Sequence, residues 1–561
     1  MKKILSLILV FMIGIVLVAC TEDLTLPIDT TQEVTEAPTE NPTETPTQVS
    51  TEQPTEAPTE GPTEEPTEAP TGEPTEGPTE VPTEEPTEGP TEEPTETPTE
   101  VPTEEPTDVP TTVETTTNNT TTEENTTSVT TQEITLTYAD WGNPEINRAL
   151  ADAFMELYPN ITVILRTDIT GTGGAFTQSL LNAQAAGVLP DVFVIDNVPT
   201  GYSNGMLYDV TNFWNTDPDT QLVYPNIRDT AVYNGTRYAL PSFQFVKGIF
   251  LNLTLFDQYN IPIPDKDWTY DEFVDIAIEF RQAGISEYIY GIEPVHYTGD
   301  LDFEIIWPTQ DFANIGYNTW DGQSFNFNSQ AWIDAYQAKL DLWAQDVVID
   351  YGNLSEEELG VYGEGSAFLQ GYVAMSIQGS WELWYVDHMY DNFGYEVGFW
   401  PYPGGDAGQF PPTILDYTVV SSQTSYPYEA YLLAKYMSFG REGWMTRLDA
   451  MEAQGITYLD RFPVADYSEV WDRIMYDDLG GPSDLLFYIE GVQESIDLFE
   501  YSKPDVDKWL PGYSAFWEWV GNDDNDYWTK INDGTITPDV FAAQWEEKIN
   551  EFVQTALEQY E

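Results

Sequence analysis

The chain has one cysteine, Cys20, only two histidines, and 19 lysines and arginines against 97 acidic residues. A single cysteine excludes an intramolecular disulfide and a thiolate zinc cluster, so we expect no metal site and no cofactor. The formal net charge of −78 repels nucleic-acid phosphates and anionic lipid headgroups. Nucleic acid is therefore not an expected partner.

The one cysteine lies where bacterial lipoproteins carry their lipid. Lys2 and Lys3 precede an apolar run that is too short to span a bilayer comfortably, and the small residue Ala19 stands directly before Cys20. This arrangement resembles the lipobox of exported bacterial lipoproteins, which are cut before the cysteine and acylated on it. We therefore expect a signal peptide over residues 1–19 and a lipid on Cys20 that holds the protein at the extracellular face of the cell membrane. An ordinary signal peptide with an accidental cysteine is the alternative.

Residues 20–132 contain no lysine or arginine, and large apolar side chains are scarce among them. Between residues 36 and 110 the motif Pro-Thr-Glu recurs with one variable residue between its copies. Proline at every fourth position forbids a helix, and the scarcity of apolar groups forbids a core. A lipidated N-terminus followed by a disordered Pro/Thr/Glu stalk is expected. A passive spacer is its preferred interpretation, with a specific recognition segment as the alternative.

From residue 133 to residue 561 the composition changes to that of a folded domain that contains all 17 tryptophans. Its first elements alternate between strand and helix patterns, which predicts an α/β fold with a parallel sheet covered by helices. The predicted elements are strands over Ile134–Tyr138, Ile161–Leu165 and Val192–Ile195, a helix opened by Asn143 and Pro144, a helix over Ala175–Ala186, and a last helix opened by Pro538.

Several short motifs follow one another in the order found in one known family. The body thereby resembles the extracellular solute-binding proteins of ABC transporters, in the sugar-binding branch (family 1) that includes maltose-binding protein. The stretch from Gly440 to Gly512 departs from the pattern. The motifs are Ala186-Gly187-Val188-Leu189-Pro190-Asp191, Tyr233-Asn234-Gly235, Trp268-Thr269-Tyr270-Asp271, Gly379-Ser380-Trp381, Pro401-Tyr402-Pro403-Gly404-Gly405 and Ser514-Ala515-Phe516-Trp517.

The resemblance implies the type II periplasmic-binding-protein fold, with two α/β lobes, a hinge and a ligand cleft between the lobes. The first lobe is expected over residues 133–245 and 417–460, and the second over residues 250–415 and 500–561. The chain would cross between them near Gln244–Phe250 and again near Asp416–Ser422. The lobe boundary within the unmatched stretch is a guess.

Sugars present hydroxyl rims and weakly apolar ring faces, so a sugar site needs flat aromatic side chains beside planar hydrogen-bonding groups. Trp381 and Trp517 stand in motifs that carry cleft aromatics in the family, although Gly521 replaces an arginine that follows the second motif. For each candidate a place in the core, at the hinge or on the solvated surface is the alternative. The expected ligand-binding residues are Trp141, Asp196, Asn197, Gln244, Glu304, Trp307, Trp381, Asp416 and Trp517.

The function that the resemblance implies is that of a membrane-anchored receptor. It would bind a carbohydrate, most simply an oligosaccharide, by lobe closure and deliver it to an ABC permease as a monomer, without catalysis. Three alternatives stay open: a surface adhesin or lectin, a glycoside-acting enzyme with two carboxylates, and a receptor for a non-sugar ligand such as a peptide.

A serine hydrolase is disfavoured although Gly201–Gly205 fits the pattern G-x-S-x-G. The nucleophile elbow requires its serine directly after a strand, and five residues separate Ile195 from this motif. The only histidines are His296 and His388. A loop that connects the third strand to the next element explains these residues without catalysis.

Overall fold

A computed structural model describes the chain from residue 129 onward. The predicted signal peptide, Cys20, the stalk, Glu304 and Trp307 lie outside the described residues. The described residues are 129–294, 308, 313–363, 365–386, 389–459, 461–477, 480, 483, 485, 489–522 and 524–560.

The strands and α-helices alternate at the beginning of the described part and are less regular after it. The strands are β1 (Ile134–Ala139), β2 (Ile161–Leu165), β3 (Val192–Ile195), β4 (Val232–Tyr233), β5 (Thr236–Arg237), β6 (Leu240–Asn252), β7 (Tyr290–Glu293), β8 (Val373–Gly379), β9 (Val397–Pro401), β10 (Pro412–Val420) and β11 (Lys503–Pro504). The α-helices are α1 (Pro144–Leu157), α2 (Gly173–Ala185), α3 (Val198–Ser203), α4 (Thr211–Thr216), α5 (Pro225–Arg228), α6 (Leu253–Tyr259), α7 (Tyr270–Gly284), α8 (Gln330–Ala344), α9 (Glu356–Tyr362), α10 (Pro427–Met437), α11 (Arg441–Gln454), α12 (Ser468–Met475), α13 (Val492–Asp497), α14 (Tyr513–Val520), α15 (Tyr527–Asn532) and α16 (Pro538–Leu557).

Helix starts follow local capping chemistry. The side-chain oxygen of Asn143 accepts hydrogen bonds from the backbone N–H groups of Glu145 and Ile146, and Pro144 occupies the first turn of α1. Thr269 and Glu272 form a reciprocal capping box at the start of α7. Because these contacts satisfy N–H groups that have no partner within the helix, the starts of both helices are fixed by sequence-local interactions.

One sheet runs through the body, with the strand order β2-β1-β3-β10-β6-β8-β7. Strands β1, β2 and β3 are parallel, as are β7 and β8, whereas β10 is antiparallel to both β3 and β6. We call the part built on β1–β3 the first lobe and the part built on β7–β9 the second lobe. The result is the two-lobe α/β fold of the periplasmic binding proteins.

Strand β6 belongs to both lobes. Its residues from Leu240 to Val246 pair with β10, and its residues from Lys247 onward pair with β8 and β9. All 13 residues of β6 are buried. Because β10 in turn pairs with β3, the two long strands β6 and β10 connect the lobes through continuous backbone hydrogen bonds, in the region expected for the hinge.

Three groups of buried apolar side chains hold the layers together. The largest contains Leu136, Phe154 and Phe193 and extends from the first lobe across the hinge to residues of β7, β8 and β9. A second group contains Ile249, Phe273 and Trp400 in the second lobe. The third lies among the C-terminal helices, where Trp332, Phe516 and Trp545 pack together. Helices α10 and α11 pack on α1, whereas α16 packs on α8.

The stretch that departs from the family pattern connects both lobes. Phe462 exchanges two backbone hydrogen bonds with Gln244 of β6, with N···O distances of 2.8 and 3.1 Å. Farther along the chain, α13 packs against β9, and the backbone N–H of Phe399 donates to the carbonyl of Glu490 at 2.8 Å. A lobe boundary in this stretch stays a prediction.

Candidate ligand-binding site

One face of β6 carries aromatic and charged side chains at the junction of the lobes. Phe243, Phe245 and Lys247 point to this face because side chains alternate along a strand. We call these three residues the β6 row. The guanidinium of Arg461 lies 4.9 Å from the ring centre of Phe243 and 6.0 Å from that of Phe245. The row therefore combines flat rings with positive charge.

Trp381 lies beside this row, in the 3-10 turn Ser380–Tyr385 that follows β8. Its ring makes an edge contact with Phe245, with centroids 5.9 Å apart, and the Lys247 ammonium lies 4.2 Å from its centre. A Cβ atom on Gly379 would clash with the ring, so a glycine is required there. The indole is half-buried, and Lys247 covers part of it. Stacking of a sugar on Trp381 stays a prediction.

Lys508 joins two predicted site residues. Its ammonium donates to Oδ1 of Asp416 at 2.7 Å and lies 3.6 Å from Oδ1 of Asp196. The side chain of Asp416 is 3% exposed, whereas that of Asp196 is 31% exposed. Burial opposes the charged form of Lys508, but the two carboxylates outweigh it and raise the pKa of the ammonium above its ordinary value. Asp416 is opposite Phe243 in the β-ladder, so the ion pair adjoins the β6 row.

Asp196 and Trp141 lie at one edge of the first lobe because β1 and β3 are parallel neighbours and both residues follow a strand end. The ring of Trp141 makes an edge contact with Phe176, with centroids 5.0 Å apart, and the side chain is half-buried. Next to it, Asp140 accepts hydrogen bonds from the hydroxyl of Tyr138 at 3.0 Å and from the backbone N–H of Gly142 at 2.7 Å. This edge presents one indole and two carboxylates.

Asn197 follows Asp196 and caps α3. Its Oδ1 accepts from the backbone N–H and the hydroxyl of Thr200, both at 2.9 Å, and its Nδ2 donates to the carbonyl of Asp507 at 3.1 Å. The residue also lies in the wall of a cavity of about 300 Å³ that Ser514 and Ala515 line from the other side. Its amide therefore holds the C-terminal segment against the first lobe, and a ligand contact stays a prediction.

Gln244 and Trp517 lie apart from the β6 row. Gln244 alternates with Phe243 and Phe245, is completely buried, and donates from Nε2 to the carbonyl of Pro463 at 2.7 Å. Trp517 packs against Phe516 and Trp545, with ring centroids 5.0 and 5.7 Å away. These contacts give Gln244 a hinge role and Trp517 a role in the C-terminal aromatic group, so ligand binding by either residue stays a prediction.

Sequence reasoning missed the cations Lys247, Arg461 and Lys508. The available signal was the small number of lysines and arginines in the sequence. A buried positive charge must be paired, and acidic partners are abundant in this chain. It also missed Glu293, which is buried where β7 ends and accepts from the Ser366 hydroxyl at 2.7 Å and the Phe368 N–H at 3.0 Å. Its available signal was a carboxylate directly after the apolar residues 289–292, where a strand could end.

Within the described residues, no group of histidine, cysteine and acidic side chains is arranged to hold a metal ion. In the same part of the chain no helix has the length and apolar character needed to cross a membrane. Neither finding concerns the residues before position 129.

The chain belongs to the family of bacterial extracellular solute-binding proteins, whose model matches residues 142–439. A second family model, the PT disordered repeat, matches residues 50–88. A curated relative, an uncharacterized ABC transporter extracellular-binding protein from Pyrococcus horikoshii, is 24% identical over 322 residues, which are 56% of this chain and 65% of that protein. The chain thus spans just under two thirds of the length of this relative.

Solved structures share the fold. An ABC substrate-binding protein from Listeria monocytogenes, in complex with cycloalternan, is 18% identical with a TM-score of 0.52. A solute-binding protein from Thermotoga lettingae, bound to α-D-tagatose, is 20% identical with a TM-score of 0.53. The cyclic α-maltosyl-1,6-maltose binding protein from Arthrobacter globiformis is 16% identical with a TM-score of 0.54. Each match covers 75% of this chain and 99% of the other.

Proposed function

We propose that the protein is an extracellular receptor that binds a carbohydrate between its two lobes and delivers it to an ABC import permease. The observation that carries this proposal is the contact between Trp381 and the β6 row, where the indole meets Phe245 and Lys247 on a strand shared by both lobes. Asp416, opposite Phe243 on β10, adds a carboxylate next to this row. Family membership supports solute binding, and the sugars bound by the three structural neighbours support a carbohydrate ligand.

Lobe closure follows from the way the lobes are connected. Since β6 is hydrogen-bonded to β10 in its first half and to β8 and β9 in its second half, a rotation where β6 passes from one lobe to the other would bring the lobes together without breaking either half of the sheet. Closure buries the sugar and completes its contacts. The permease then recognises the closed shape, so binding energy is used to report occupancy. A monomer is sufficient, and no covalent step is required.

Anchoring is the second part of the proposal. Two or more acyl chains on Cys20 bind a membrane far more firmly than one, and the Pro-Thr-Glu segment provides reach between membrane and receptor. Metabolic labelling with a palmitate analogue tests this. The wild-type chain incorporates label and fractionates with membranes, whereas Cys20→Ala does neither. Membrane retention of unlabelled Cys20→Ala contradicts a lipid anchor.

Carbohydrate binding is tested by a thermal-shift screen over mono- and oligosaccharides, followed by X-ray scattering with the best ligand. We expect a stabilised protein, a smaller radius of gyration and a sugar that is recovered intact. Sugar binding without compaction favours a lectin, cleavage of the sugar favours a glycoside-acting enzyme, and stabilisation by peptides alone favours a non-sugar receptor.

Trp381→Ala has a matched control in the same turn, Trp384→Ala, because Trp384 is 48% exposed and its ring packs on Tyr385. An aromatic contact of about 0.5–1.5 kcal/mol predicts a loss of affinity of up to about tenfold for Trp381→Ala. The affinity of Trp384→Ala is expected to match the wild type. If Trp381→Ala and Trp384→Ala both bind the sugar with wild-type affinity, Trp381 is not part of the site.

A further inference from the structure

A second cavity of about 800 Å³ lies apart from the residues of the candidate site. It is lined by residues of the first-lobe segment from Asn226 to Asn234, which contains β4, and by residues of the loop from Gly316 to Gln323. Residues 500–504 and the last turns of α16 close it. We call it the hairpin cavity. Its volume lies within the range of about 300–1,000 Å³ that is usual for small-molecule sites.

Aromatic rings line much of this space. Trp320 stands in one wall, half-buried and packed on Phe325 with centroids 4.9 Å apart. Tyr501, which is 51% exposed, and Trp509 also line the cavity. The indole N–H of Trp509 donates to the carbonyl of Asp505 at 2.6 Å. Partly exposed rings of this kind offer flat apolar faces to a ligand.

Asn226 supplies an acceptor in the wall. Its Nδ2 donates to the carbonyls of Phe499 and Ser502 at 3.0 and 2.9 Å, which fixes the orientation of the amide. Its Oδ1 is then buried and accepts no hydrogen bond from the described part of the chain. Buried acceptors are normally satisfied, so Asn226 is a polar point of the wall with unused accepting capacity.

The charged residues of the lining limit the class of ligand further. Asp229 and Glu500 are exposed acids in the lining, whereas the lining lysine, Lys503, is already engaged by Oδ1 of Asn314 at 2.9 Å. Gln323 and Gln554 add exposed amides that can both donate and accept hydrogen bonds. Planar polar groups beside aromatic rings suit hydroxyl groups, and the acidic balance repels anions.

We infer that the hairpin cavity is a second binding site, which takes a neutral oligosaccharide. Flat rings and exposed amides match the apolar faces and hydroxyl rims of sugar units, and the acids disfavour uronic or phosphorylated sugars. The inference goes beyond the proposed function and does not depend on sugar binding at the β6 row.

The test uses the exported chain from residue 20, with Cys20→Ser to prevent acylation. Maltotetraose, cellotetraose and a galacturonate tetramer serve as α-linked, β-linked and anionic probes in calorimetric titrations. Hydrogen-exchange mass spectrometry on the same samples locates each site. We expect one of the neutral probes to slow exchange in segments 226–234 and 316–323, and the galacturonate tetramer to leave these segments unchanged.

Trp320→Ala is expected to weaken this binding by about tenfold, the loss of one aromatic contact. Because that variant removes a packed ring, the double variant Gln323→Ala, Gln554→Ala provides a second test at exposed positions with the same expected direction. Trp381→Ala is the matched control and leaves protection of segments 226–234 and 316–323 intact. Absence of protection there with both neutral probes, equal protection by the galacturonate tetramer, or protection unchanged in both cavity variants overturns the inference. A loss of calorimetric binding in Trp381→Ala, with protection of segments 226–234 and 316–323 intact, would concern the proposed function alone.

Discussion

The ammonium of Lys508 and the carboxylate of Asp416 form an ion pair of 2.7 Å at the hinge strand β10, where Asp416 is almost fully enclosed. Lys508 is also tied to the first lobe, because its carbonyl accepts the backbone N–H of Val198 at 2.8 Å. One residue of the C-terminal segment thus contacts both the hinge and the first lobe. The pair has consequences that can be measured.

Lys508→Met is expected to lower the free energy of unfolding by about 3 kcal/mol, since it leaves the buried Asp416 charge without its cation. Urea denaturation measures the loss. Lys548→Met is the control, because Lys548 pairs with Glu551 on the surface, where such pairs contribute about 0–1 kcal/mol. Similar losses in the two variants would show that Asp416 finds another partner.

Stability is expected to fall as the pH rises above about 10. Burial raises the pKa of Tyr138, Tyr233 and Tyr417 above the ordinary tyrosine value, and the pKa of Lys508 is also raised, against its burial, by Asp416 and Asp196. A group with a raised folded-state pKa stabilises the protein below its unfolded-state pKa, and this contribution is lost as the pH rises toward the folded-state value.

Denaturant titrations between pH 7 and pH 11 test whether the free energy of unfolding falls with rising pH. Tyrosinate absorbance is recorded in parallel. The free energy of unfolding should decrease above pH 10, and the buried tyrosines should ionise only as the chain unfolds. Full tyrosine ionisation in a chain that keeps its native circular dichroism would contradict the prediction.

Gly379→Ala is expected to destabilise the protein by about 1–3 kcal/mol, the usual result of overpacking, because the new Cβ atom meets the Trp381 ring. Displacement of the indole should also change its fluorescence and weaken sugar binding. Gly360→Ala is the matched control, since it lies in helix α9 with open space around it. Alanine there should be neutral or stabilising by up to about 1 kcal/mol. A well-tolerated Gly379→Ala with unchanged affinity argues against a fixed Trp381 ring.

Gln244→Glu is expected to cost several kcal/mol at pH 7, since it places a carboxylate in a fully buried position opposite the carbonyl of Pro463. Burial would raise the folded-state pKa of the new carboxyl, so its penalty should shrink as the pH falls toward 4, where the protonated group can donate to that carbonyl. The difference between variant and wild type in urea midpoints measures this. A difference that does not change between pH 7 and pH 4 contradicts a buried hinge role for Gln244.

Local patterns were enough to predict the beginning of the fold. Alternation identified β1 and β2, and a continuous apolar run identified the buried strand β3. Asn143 with Pro144 marked the start of α1, because capping involves residues only a few positions apart. The predicted helix over Ala175–Ala186 begins at Gly173 in the structure, since the low helix propensity of glycine moved the predicted start inward. The expected crossings between the lobes, near Gln244–Phe250 and Asp416–Ser422, came from the family resemblance and not from local pattern.

The residues of the candidate site were harder to predict from local sequence patterns. Asp196 and Asp416 were predicted, but the cation that joins them, Lys508, comes from a third segment far along the chain, and no local periodicity encodes such a meeting. For Trp517 the motif was recognised, but the packing of its ring was not predicted. Its motif resembles a ligand-contacting segment of the family, yet its ring packs on Trp545. In a chain rich in aromatic residues, a sequence motif alone does not determine which ring an indole packs against.

Strand β3 lies between β1 and β10, yet strands β7, β8 and β9 of the second lobe are encoded between β3 and β10. During synthesis the first lobe therefore emerges with an open sheet edge that remains unpaired until residues 412–420 follow. Strands that are far apart in the sequence pair slowly, because the entropy cost of closing the loop between them comes before any stabilising contact. The order in which this chain is made thus delays completion of its first lobe until most of its body exists.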